Sequence, residues 1–258
     1  MRAAVIGTGV VGRAQVRMLR DHDVVTWDIA DGLPFPARKV AGCDLALICA
    51  GTPESPDGSA DVSQVRDAVS RVPGHVTVAI RSTVPPGTTA GIAAGRPGLT
   101  CHVPEFLHER EGGPWRDCTD VPFLIIGGDH DAAGHVAGLL GMVHPGEITL
   151  CSALEAELAK YAANLHWAVK VTFVNEMARI CEASGASWAK VRRAWLADDR
   201  VTPIYTSMAG YEPGFGGRCW PKDLSALIAA ADSAGYKAGF LRAVQDANAR
   251  FRDDTGAR

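Results

Sequence analysis

A glycine-rich turn close to the N-terminus limits this chain to few folds. Residues 3–6 are apolar, and the segment GTGVVG follows them at residues 7–12, before a helical pattern that continues to Leu19. A dinucleotide pyrophosphate site requires this order of strand, turn and helix. Its first glycine makes the tight turn, the second admits the pyrophosphate and the third lets the helix pack on the strand. We therefore predict a Rossmann-type unit in which Gly7, Gly9 and Gly12 hold a dinucleotide.

An acidic residue stands at the position expected to bind the adenosine ribose. Asp28 ends the next apolar run, residues 24–27, at about the 20-residue spacing typical of this role. A carboxylate there would repel the 2′-phosphate of NADP, and no arginine follows immediately to accept that phosphate. The sequence predicts NAD as the cofactor and no metal ion. The alternative is a structural Rossmann unit whose cofactor site is empty.

Apolar runs and helical patterns alternate over residues 1–150, which is typical of a doubly wound parallel sheet. The predicted strands are residues 3–6, 24–27, 45–49, 76–80, 100–103, 123–126 and 148–150. Ser152 caps a helical pattern that continues without glycine or proline to about residue 184, roughly 48 Å at 1.5 Å per residue. Shorter helices are predicted at residues 187–197, 221–234 and 239–252. We predict an α/β fold, with an NAD-binding domain over residues 1–150 and a helical domain over residues 151–258.

Composition narrows the classes of partner. The 258 residues are 47% hydrophobic, which supports a substantial core, and the net charge of -3 leaves no broad basic surface for nucleic acid or membrane lipid. The seven cysteines form no CxxC pair or disulfide framework, and neither a leader nor a membrane-length apolar segment is evident. We expect a cytoplasmic protein with a small-molecule partner. The long helix must bury its apolar face on the sheet domain or on a second copy, so we expect a homodimer.

A second glycine-rich segment places a cysteine beside charged groups. The sequence GFGGRCWPKD occupies residues 214–223, and Pro221 suits the first position of a helix. Cys219 would then lie at a helix N-terminus, where free N–H groups and the nearby Lys222 favour the nucleophilic thiolate. The other interpretation is an ordinary buried thiol, and this segment alone favours neither.

The long helix carries a further group of polar residues. Glu157, Lys160 and Asn164 lie at i, i+3 and i+7 and share one helix face. Lysine and asparagine one turn apart can both donate to one oxygen, as is needed when an alcohol oxygen gains negative charge during hydride loss. The alternative is a solvated polar stripe.

Taken in order, these segments resemble the UDP-glucose and GDP-mannose 6-dehydrogenases, which oxidise a sugar primary alcohol to a carboxylate with two NAD+. The resemblance covers nearly the whole chain. The matching segments are GTGVVG at 7–12, DGSAD at 57–61, STVPPGT at 82–88, PEFL at 104–107 with Glu109, the group Glu157, Lys160 and Asn164, Asn175 with Glu176, Asp199 with Arg200, and residues 214–223.

The resemblance implies a role for each matching residue. Cys219 would be the nucleophile that forms a thiohemiacetal and then a thioester. Lys160 and Asn164 would steady the alkoxide, while Asp223 would help to take the proton through water. Thr83, Glu109 and Asp223 are candidates for positioning the hydrolytic water, and Glu105 and Lys222 would support the site. A carboxylate near a thiol opposes ionisation of that thiol. Whether Cys219 can be a thiolate beside Asp223 therefore depends on the geometry of the two side chains.

The expected contacts with ligands follow from the same resemblance. The expected cofactor contacts are Gly7, Gly9, Val10, Val11, Gly12, Asp28, Thr52, Pro53, Ser82 and Thr83. The expected substrate contacts are Glu105, Phe106, Leu107, Lys160, Asn164, Gly214, Phe215 and Gly216.

The chain also departs from the family pattern. Family members usually carry a third domain that grips the nucleotide, and this sequence ends at Arg258, where that domain would begin. We therefore expect weaker binding of a sugar nucleotide, or a substrate such as a nucleoside or a smaller sugar alcohol. Residues 108–120, with Arg110, Trp115 and Arg116, are either a partial lid or an ordinary surface loop.

Two other functions are considered. A two-electron dehydrogenase of the 3-hydroxyacid or 6-phosphogluconate type shares the Rossmann domain, the long helix and the Lys/Asn pair, but needs no cysteine nucleophile. An inactive cofactor-binding partner subunit would have no physical need for the retained set of residues, which is Cys219, Lys160, Asn164, Thr83 and Asp223. The cysteine segment argues against the first and the retained set of residues against the second.

Overall fold

The computed structural model describes residues 1–107, 118–208 and 212–253. The chain forms two compact units. The first unit comprises Met1–Ser55 and Ala60–Lys160, and the second comprises Pro56–Ser59 and Tyr161–Arg258. The division between the units therefore falls within a helix, after Lys160 and not after residue 150.

The described residues of the first unit form a seven-stranded sheet. Its strands are β1 Arg2–Ile6, β2 Asp23–Trp27, β3 Leu45–Ile48, β4 Thr77–Ile80, β5 Thr100–His102, β6 Phe123–Gly127 and β7 Glu147–Cys151. They lie in the order β2-β1-β3-β4-β5-β6-β7. Each predicted strand is confirmed to within a residue or two. The predicted Rossmann-type fold class is confirmed as well.

The helices complete this architecture. They are α1 Val10–Met18, α2 Ala37–Val40, α3 Ser63–Arg71, α4 Thr88–Ala93, α5 His130–Leu140, α6 Ala153–Ala183, α7 Trp188–Trp195, α8 Trp220–Ser233 and α9 Gly239–Asp253. Turns of 3₁₀ helix lie at Ile29–Asp31 and Cys118–Asp120. The long helix and the three shorter helices predicted after it are confirmed.

One strand pair departs from the parallel arrangement that we predicted. Strands β1 to β5 pair in parallel, but β6 runs antiparallel to β5, with His102 opposite Gly127. Strand β7 pairs in parallel with β6. An antiparallel pair, unlike a parallel one, needs no crossover helix between its strands.

Alternating residues of β1 bury both faces of the sheet. Ala4 and Ile6 enter one apolar cluster and Ala3 and Val5 enter the other, as the two-residue period of a strand requires. The chain order changes direction between β1 and β3, and ligands of open α/β sheets bind outside the carboxyl ends of the strands at such a point. The glycine turn after β1 lies at this point.

Helix α6 begins with the predicted Ser152 cap. The Glu155 N–H donates to Ser152 Oγ at 3.2 Å, and the Ser152 N–H donates to Glu155 Oε2 at 2.7 Å. This reciprocal pair is a capping box, which satisfies two N–H groups at the start of the helix. The remainder of α6 continues into the second unit, whose apolar core is formed by Leu165, Ala168, Phe215, Leu224, Ile228 and Val244.

Candidate active site

The glycine turn has the shape that a dinucleotide requires. A Cβ atom on Gly7, whose φ is +92°, would lie 2.6 Å from the Cys49 carbonyl oxygen, and one on Gly12 would lie 1.9 Å from the Gly7 oxygen. These two glycines are therefore needed by the turn itself. A Cβ on Gly9 would meet no atom within 4 Å, so the protein leaves open the space above this residue. Gly9 is also the N-cap of α1, where N–H groups can receive a pyrophosphate.

Asp28 lies beside this turn at the end of β2. Its Oδ2 accepts hydrogen bonds from the Thr8 N–H at 2.6 Å and from Thr8 Oγ1 at 3.2 Å, and its Oδ1 accepts from the Ala30 N–H at 2.9 Å. The bond from the Thr8 N–H, followed by that from Ala30, lowers the pKa of Asp28. The carboxylate is thus ionised and placed at the glycine turn. The residues of the turn and Asp28 fit NAD.

Other predicted cofactor residues follow β3 and β4 in the first unit. Ser82 donates through Oγ to the Ala50 carbonyl at 2.7 Å and so joins the ends of these two strands. Thr52 is buried, Pro53 is exposed and Thr83 is half-buried. Val10 is 48% exposed on the first turn of α1. This is the edge of the sheet at which the fold binds its ligand.

A buried polar network lies at the end of β5. Glu105 pairs with Arg81 and accepts hydrogen bonds from Gln15 Nε2 at 2.7 Å and from its neighbour, the Phe106 N–H, at 2.9 Å. Burial alone would raise the pKa of Glu105, but the charge and hydrogen bond of Arg81, followed by hydrogen bonds from Cys118 and the Phe106 N–H, hold it below its usual value. Glu105 therefore anchors the PEFL segment internally, which agrees with its supporting role better than with substrate contact.

His102 is completely buried near this network. Neither ring nitrogen has a hydrogen-bond partner among the described residues. Burial, followed by the positive charges of Arg81 and Lys160, lowers the pKa of His102 to about 3. The imidazole is consequently neutral at physiological pH.

Two polar residues of α6 have separate roles in the first unit. Glu157 accepts the Gly87 N–H at 2.6 Å and the Thr89 N–H at 2.7 Å, so its carboxylate caps the start of α4. Burial raises the pKa of Glu157 although these bonds oppose the shift. The Lys160 ammonium lies 5.0 Å from the centre of the Phe106 ring. Two of the predicted substrate residues, Lys160 and Phe106, are therefore together.

Cys219 is the N-cap of α8. Its carbonyl accepts the Asp223 N–H at 2.9 Å, and Trp220 and Pro221 occupy the first helical positions, so the proline is second and not first. The side chain of Cys219 is half-buried. The predicted position of the thiol at a helix N-terminus is thus what the structure shows. Gly214 and Gly217 precede it, with φ values of +78° and +82° that favour glycine.

Asp223 is held on both carboxylate oxygens. Asn164 Nδ2 donates to its Oδ2 at 2.6 Å, and the Lys222 ammonium lies 2.5 Å from its Oδ1. The side chain of Asp223 is 1% exposed. The Lys222 charge offsets that of Asp223, which answers how a carboxylate can share the first turn of α8 with the Cys219 thiol. Asn164 therefore positions Asp223, a role that its spacing from Lys160 alone did not indicate.

The predicted site residues divide between the two units. Thr83, Glu105, Phe106, Leu107 and Lys160 belong to the first unit, whereas Asn164, Gly214, Phe215, Gly216, Cys219 and Asp223 belong to the second. Glu109 and most of the possible lid, residues 108–117, lie outside the described residues. Sequence reasoning missed Gln15, Arg81, His102 and Asn248. Only Arg81 had a signal, since it directly precedes the STVPPGT segment.

Comparison with known proteins bears on this arrangement. Residues 35–140 match the NAD binding domain of the UDP-glucose/GDP-mannose dehydrogenase family, and residues 154–250 match the central domain of the same family. A UDP-glucose dehydrogenase structure from Pyrobaculum islandicum is 30% identical, with a TM-score of 0.83 over 96% of this chain and 68% of that chain. The chain belongs to this family. The prediction of NAD as the cofactor is confirmed.

Further relatives agree with this assignment. UDP-glucose 6-dehydrogenase of Pseudomonas aeruginosa is 35% identical over 84% of this chain and 51% of its own length. A putative UDP-glucose 6-dehydrogenase of Bacillus subtilis is 37% identical over 80% of this chain and 50% of its own length. The chain thus spans about half the length of these curated relatives.

Two comparisons bear on the alternatives. A UDP-D-ManNAc dehydrogenase structure from Pyrococcus horikoshii has a TM-score of 0.84 at 25% identity, over 99% of this chain and 70% of that chain. A 3-hydroxyisobutyrate dehydrogenase structure from Mycobacterium tuberculosis has a TM-score of 0.72 at 20% identity, over 98% of this chain and 95% of that chain, and shares the fold.

Among the described residues, no helix combines the length and apolar character needed to cross a membrane.

Proposed function

We propose that this protein oxidises the primary alcohol of a sugar nucleotide, a nucleoside or a related sugar to a carboxylate, using NAD+ and a thioester on Cys219. One observation carries the proposal. Cys219 caps the helix whose first turn holds Asp223, and Asn164 and Lys222 fix that carboxylate. Membership of the family supports the reaction class. The names of several relatives specify UDP-glucose, which makes a sugar nucleotide the first substrate to test.

Each step uses groups with a defined chemistry. NAD+ bound in the first unit would supply the hydride acceptor for both oxidations. Lys160 and Asn164 would stabilise the alkoxide while Asp223 takes the alcohol proton through water. The Cys219 thiolate would then add to the aldehyde carbon, and oxidation of the resulting thiohemiacetal gives a thioester. Water held by Thr83, Glu109 or Asp223 would release the carboxylate and return the thiol.

The reduced state of the cysteines bears on where this chemistry takes place. None of the seven, all of which lie in the described part of the chain, forms a disulfide, and Cys219 must be reduced to act as a nucleophile. We therefore place the protein in the cytoplasm, where thiols are kept reduced.

The stoichiometry of NADH tests the proposal. Purified protein is incubated with NAD+ and a panel of UDP-, GDP- and dTDP-sugars, nucleosides and sugar alcohols, and products are identified by mass spectrometry. We expect two NADH for each carboxylate formed. One NADH and a carbonyl product would instead indicate the two-electron dehydrogenase. Bound NAD+ without turnover on any member of the panel would favour the inactive subunit.

A pair of cysteine variants tests the covalent step. Cys219→Ser should stop the reaction at the aldehyde or abolish it, because a serine hydroxyl is not ionised at neutral pH. Cys151→Ser is the matched control, since Cys151 is also half-buried and lies in the first unit at the end of β7. Complete carboxylate formation by Cys219→Ser would remove Cys219 from the mechanism.

A further inference from the structure

Two buried asparagines on different helices hold the turn that leads to Cys219. Asn248 of α9 accepts the Phe215 N–H at Oδ1 over 2.6 Å and donates from Nδ2 to the Phe215 carbonyl over 3.0 Å. Asn175 of α6 accepts the Gly214 N–H at Oδ1 over 3.0 Å. The two amides therefore fix consecutive peptide groups of this turn.

Asn248 binds the N–H and the carbonyl of Phe215, as the backbone of a neighbouring β-strand would. A side-chain amide has one donor end and one acceptor end, like a peptide group, and both ends bind the same residue. Phe215 is 4% exposed and Asn248 is 8% exposed, so little water can take over these bonds. Without Asn248, a buried N–H and a buried carbonyl would be left unpaired, and each loss costs about 1–3 kcal/mol.

Helix propensity does not explain why asparagine occupies positions 175 and 248. Both residues lie inside long helices, where asparagine is less favourable than alanine by up to about 0.7 kcal/mol. The contacts with the turn supply the reason. A Cβ atom on Gly214 would lie 2.6 Å from Asn248 Oδ1, so the glycine permits the approach that the asparagine needs.

The far end of the turn is fixed as well. The Trp220 ring lies 5.0 Å from the Tyr205 ring and 6.3 Å from the Phe215 ring, centre to centre. The segment that contains Cys219 is thus held at Phe215 by an amide and at Trp220 by aromatic packing. Only Gly216, Gly217 and Arg218 separate Phe215 from Cys219. Displacement of Phe215 would therefore also displace the thiol at the N-cap of α8.

We infer that Asn248 and Asn175 are positioning residues for the Cys219 thiol. They set the path of residues 214–218 and hence the direction of the thiol at the start of α8. This inference rests on the proposed function, in which Cys219 is the nucleophile. Neither asparagine need touch the substrate.

The test compares Asn248→Ala and Asn175→Ala with a control on the same helix as Asn248. In the control, Gln245→Ala removes a 3.0 Å hydrogen bond that Gln245 donates to Ser225 of α8, outside residues 214–218. The alkylation of Cys219 by iodoacetamide at pH 7 is followed by peptide mass spectrometry, with Cys151 in the same digest as an internal reference. Thermal unfolding, kcat and KM are measured in parallel.

We expect both asparagine variants to slow Cys219 alkylation at least threefold, because the thiol turns away from the helix N-terminus that favours its reactive form. Their kcat should fall about tenfold, which is roughly 1.4 kcal/mol, while KM changes less than threefold. Gln245→Ala and Cys151 should be unaffected. An unchanged or faster reaction of Cys219 in a folded variant overturns the inference.

Because Asn248→Ala and Asn175→Ala are both measured, the test does not depend on the folding of one variant. If Asn248→Ala does not fold, Asn175→Ala removes a single bond to the turn and carries the same expectation, since alanine improves its helix. Absence of turnover in the wild type would defeat the proposed function, but the alkylation rates would still confirm or overturn the positioning of the thiol.

Discussion

His102 couples the stability of the first unit to pH through a single side chain. Its ring is buried without a hydrogen-bond partner among the described residues, and Arg81 and Lys160 contribute positive charge nearby. Its folded-state pKa is about 3, against an ordinary value of 6.5. Below pH 6.5 the unfolded chain therefore binds a proton that the folded chain excludes. The contribution of the neutral His102 ring to the free energy of unfolding is therefore full above pH 6.5, and it decreases as the pH falls towards 3.

Replacing His102 should flatten this dependence. We expect the wild-type free energy of unfolding to fall by up to about 1.4 kcal/mol per pH unit from this residue between pH 6 and pH 4. His102→Asn should lack that component, whatever its effect on stability at pH 7. The measurement is urea denaturation at each pH. His130→Asn, at a fully exposed position, is the control. Identical slopes for wild type and His102→Asn would contradict the prediction.

Asp28 offers a test of cofactor choice. Asp28→Arg exchanges a carboxylate at the glycine turn for a cation that can pair with a 2′-phosphate, so the preference for NAD over NADP should fall at least about tenfold, or roughly 1.4 kcal/mol. Asp31→Arg adds the same charge at an exposed position three residues later and should change the preference little. The ratio of the two dissociation constants is measured by titration calorimetry. Equal ratios in wild type and Asp28→Arg would remove Asp28 from ribose recognition.

Helix α4 depends on a cap that comes from another helix. The N–H groups of its N-cap residue, Gly87, and of Thr89 in its first turn donate to the carboxylate of Glu157 in α6. An N-cap side chain is normally adjacent in sequence, but these partners lie 70 and 68 residues apart. Packing of the first two turns of α6 within the first unit is therefore part of what makes α4 a helix.

Removing this cap should destabilise the protein strongly. Glu157→Ala leaves two N–H groups without their partner in a buried place, and we expect a loss of roughly 2–4 kcal/mol in the free energy of unfolding. Glu157→Gln keeps one carbonyl acceptor and should lose less. Glu182→Ala, on the exposed part of the same helix, should stay within about 0.5 kcal/mol of wild type. Chemical denaturation measures all three, and a Glu157→Ala loss no larger than that of Glu182→Ala would refute the role.

Sequence and structure agree where the governing interactions are local. The strands, the glycine turn and the Ser152 cap each depend on residues a few positions apart, so their patterns are visible in the sequence. Gln15 and Glu105 are separated by 90 residues, and Asn248 and Phe215 by 33. An isolated amide has no period and no motif, so these contacts could not be predicted. The family resemblance supplied Cys219 and Asp223, and it named Asn164, Asn175 and Lys222 without their contacts. It gave no sign of Asn248.

Several apolar side chains of the long helix α6 are exposed. Phe173 and Ile180 of α6 are each 48% exposed, and they lie seven residues apart on one face. The first unit adds Leu154 and Leu158 on the same helix, at 47% and 42% exposure. A second copy of the chain that covers these residues would give the homodimer expected from the length of the helix.

Light scattering tests the dimer. One chain has a mass of 27.2 kDa, and we expect twice that mass in solution. Phe173→Glu combined with Ile180→Lys should return the protein to the single-chain mass, because charges on this face oppose its burial. Tyr236→Glu changes a side chain that is 69% exposed elsewhere and should leave the mass doubled. A wild type of single-chain mass would refute the homodimer.

The division of the chain after Lys160 also limits how such proteins can recombine. Helix α6 runs unbroken from Ala153 to Ala183, so a crossover at the border of the compact units would join two parental sequences inside one helix. A crossover just before Ser152 spares the helix, but Glu157 would then have to cap an α4 that evolved with a different partner. Exchange of cofactor modules between relatives should therefore succeed only when the first two turns of α6 travel with the sheet.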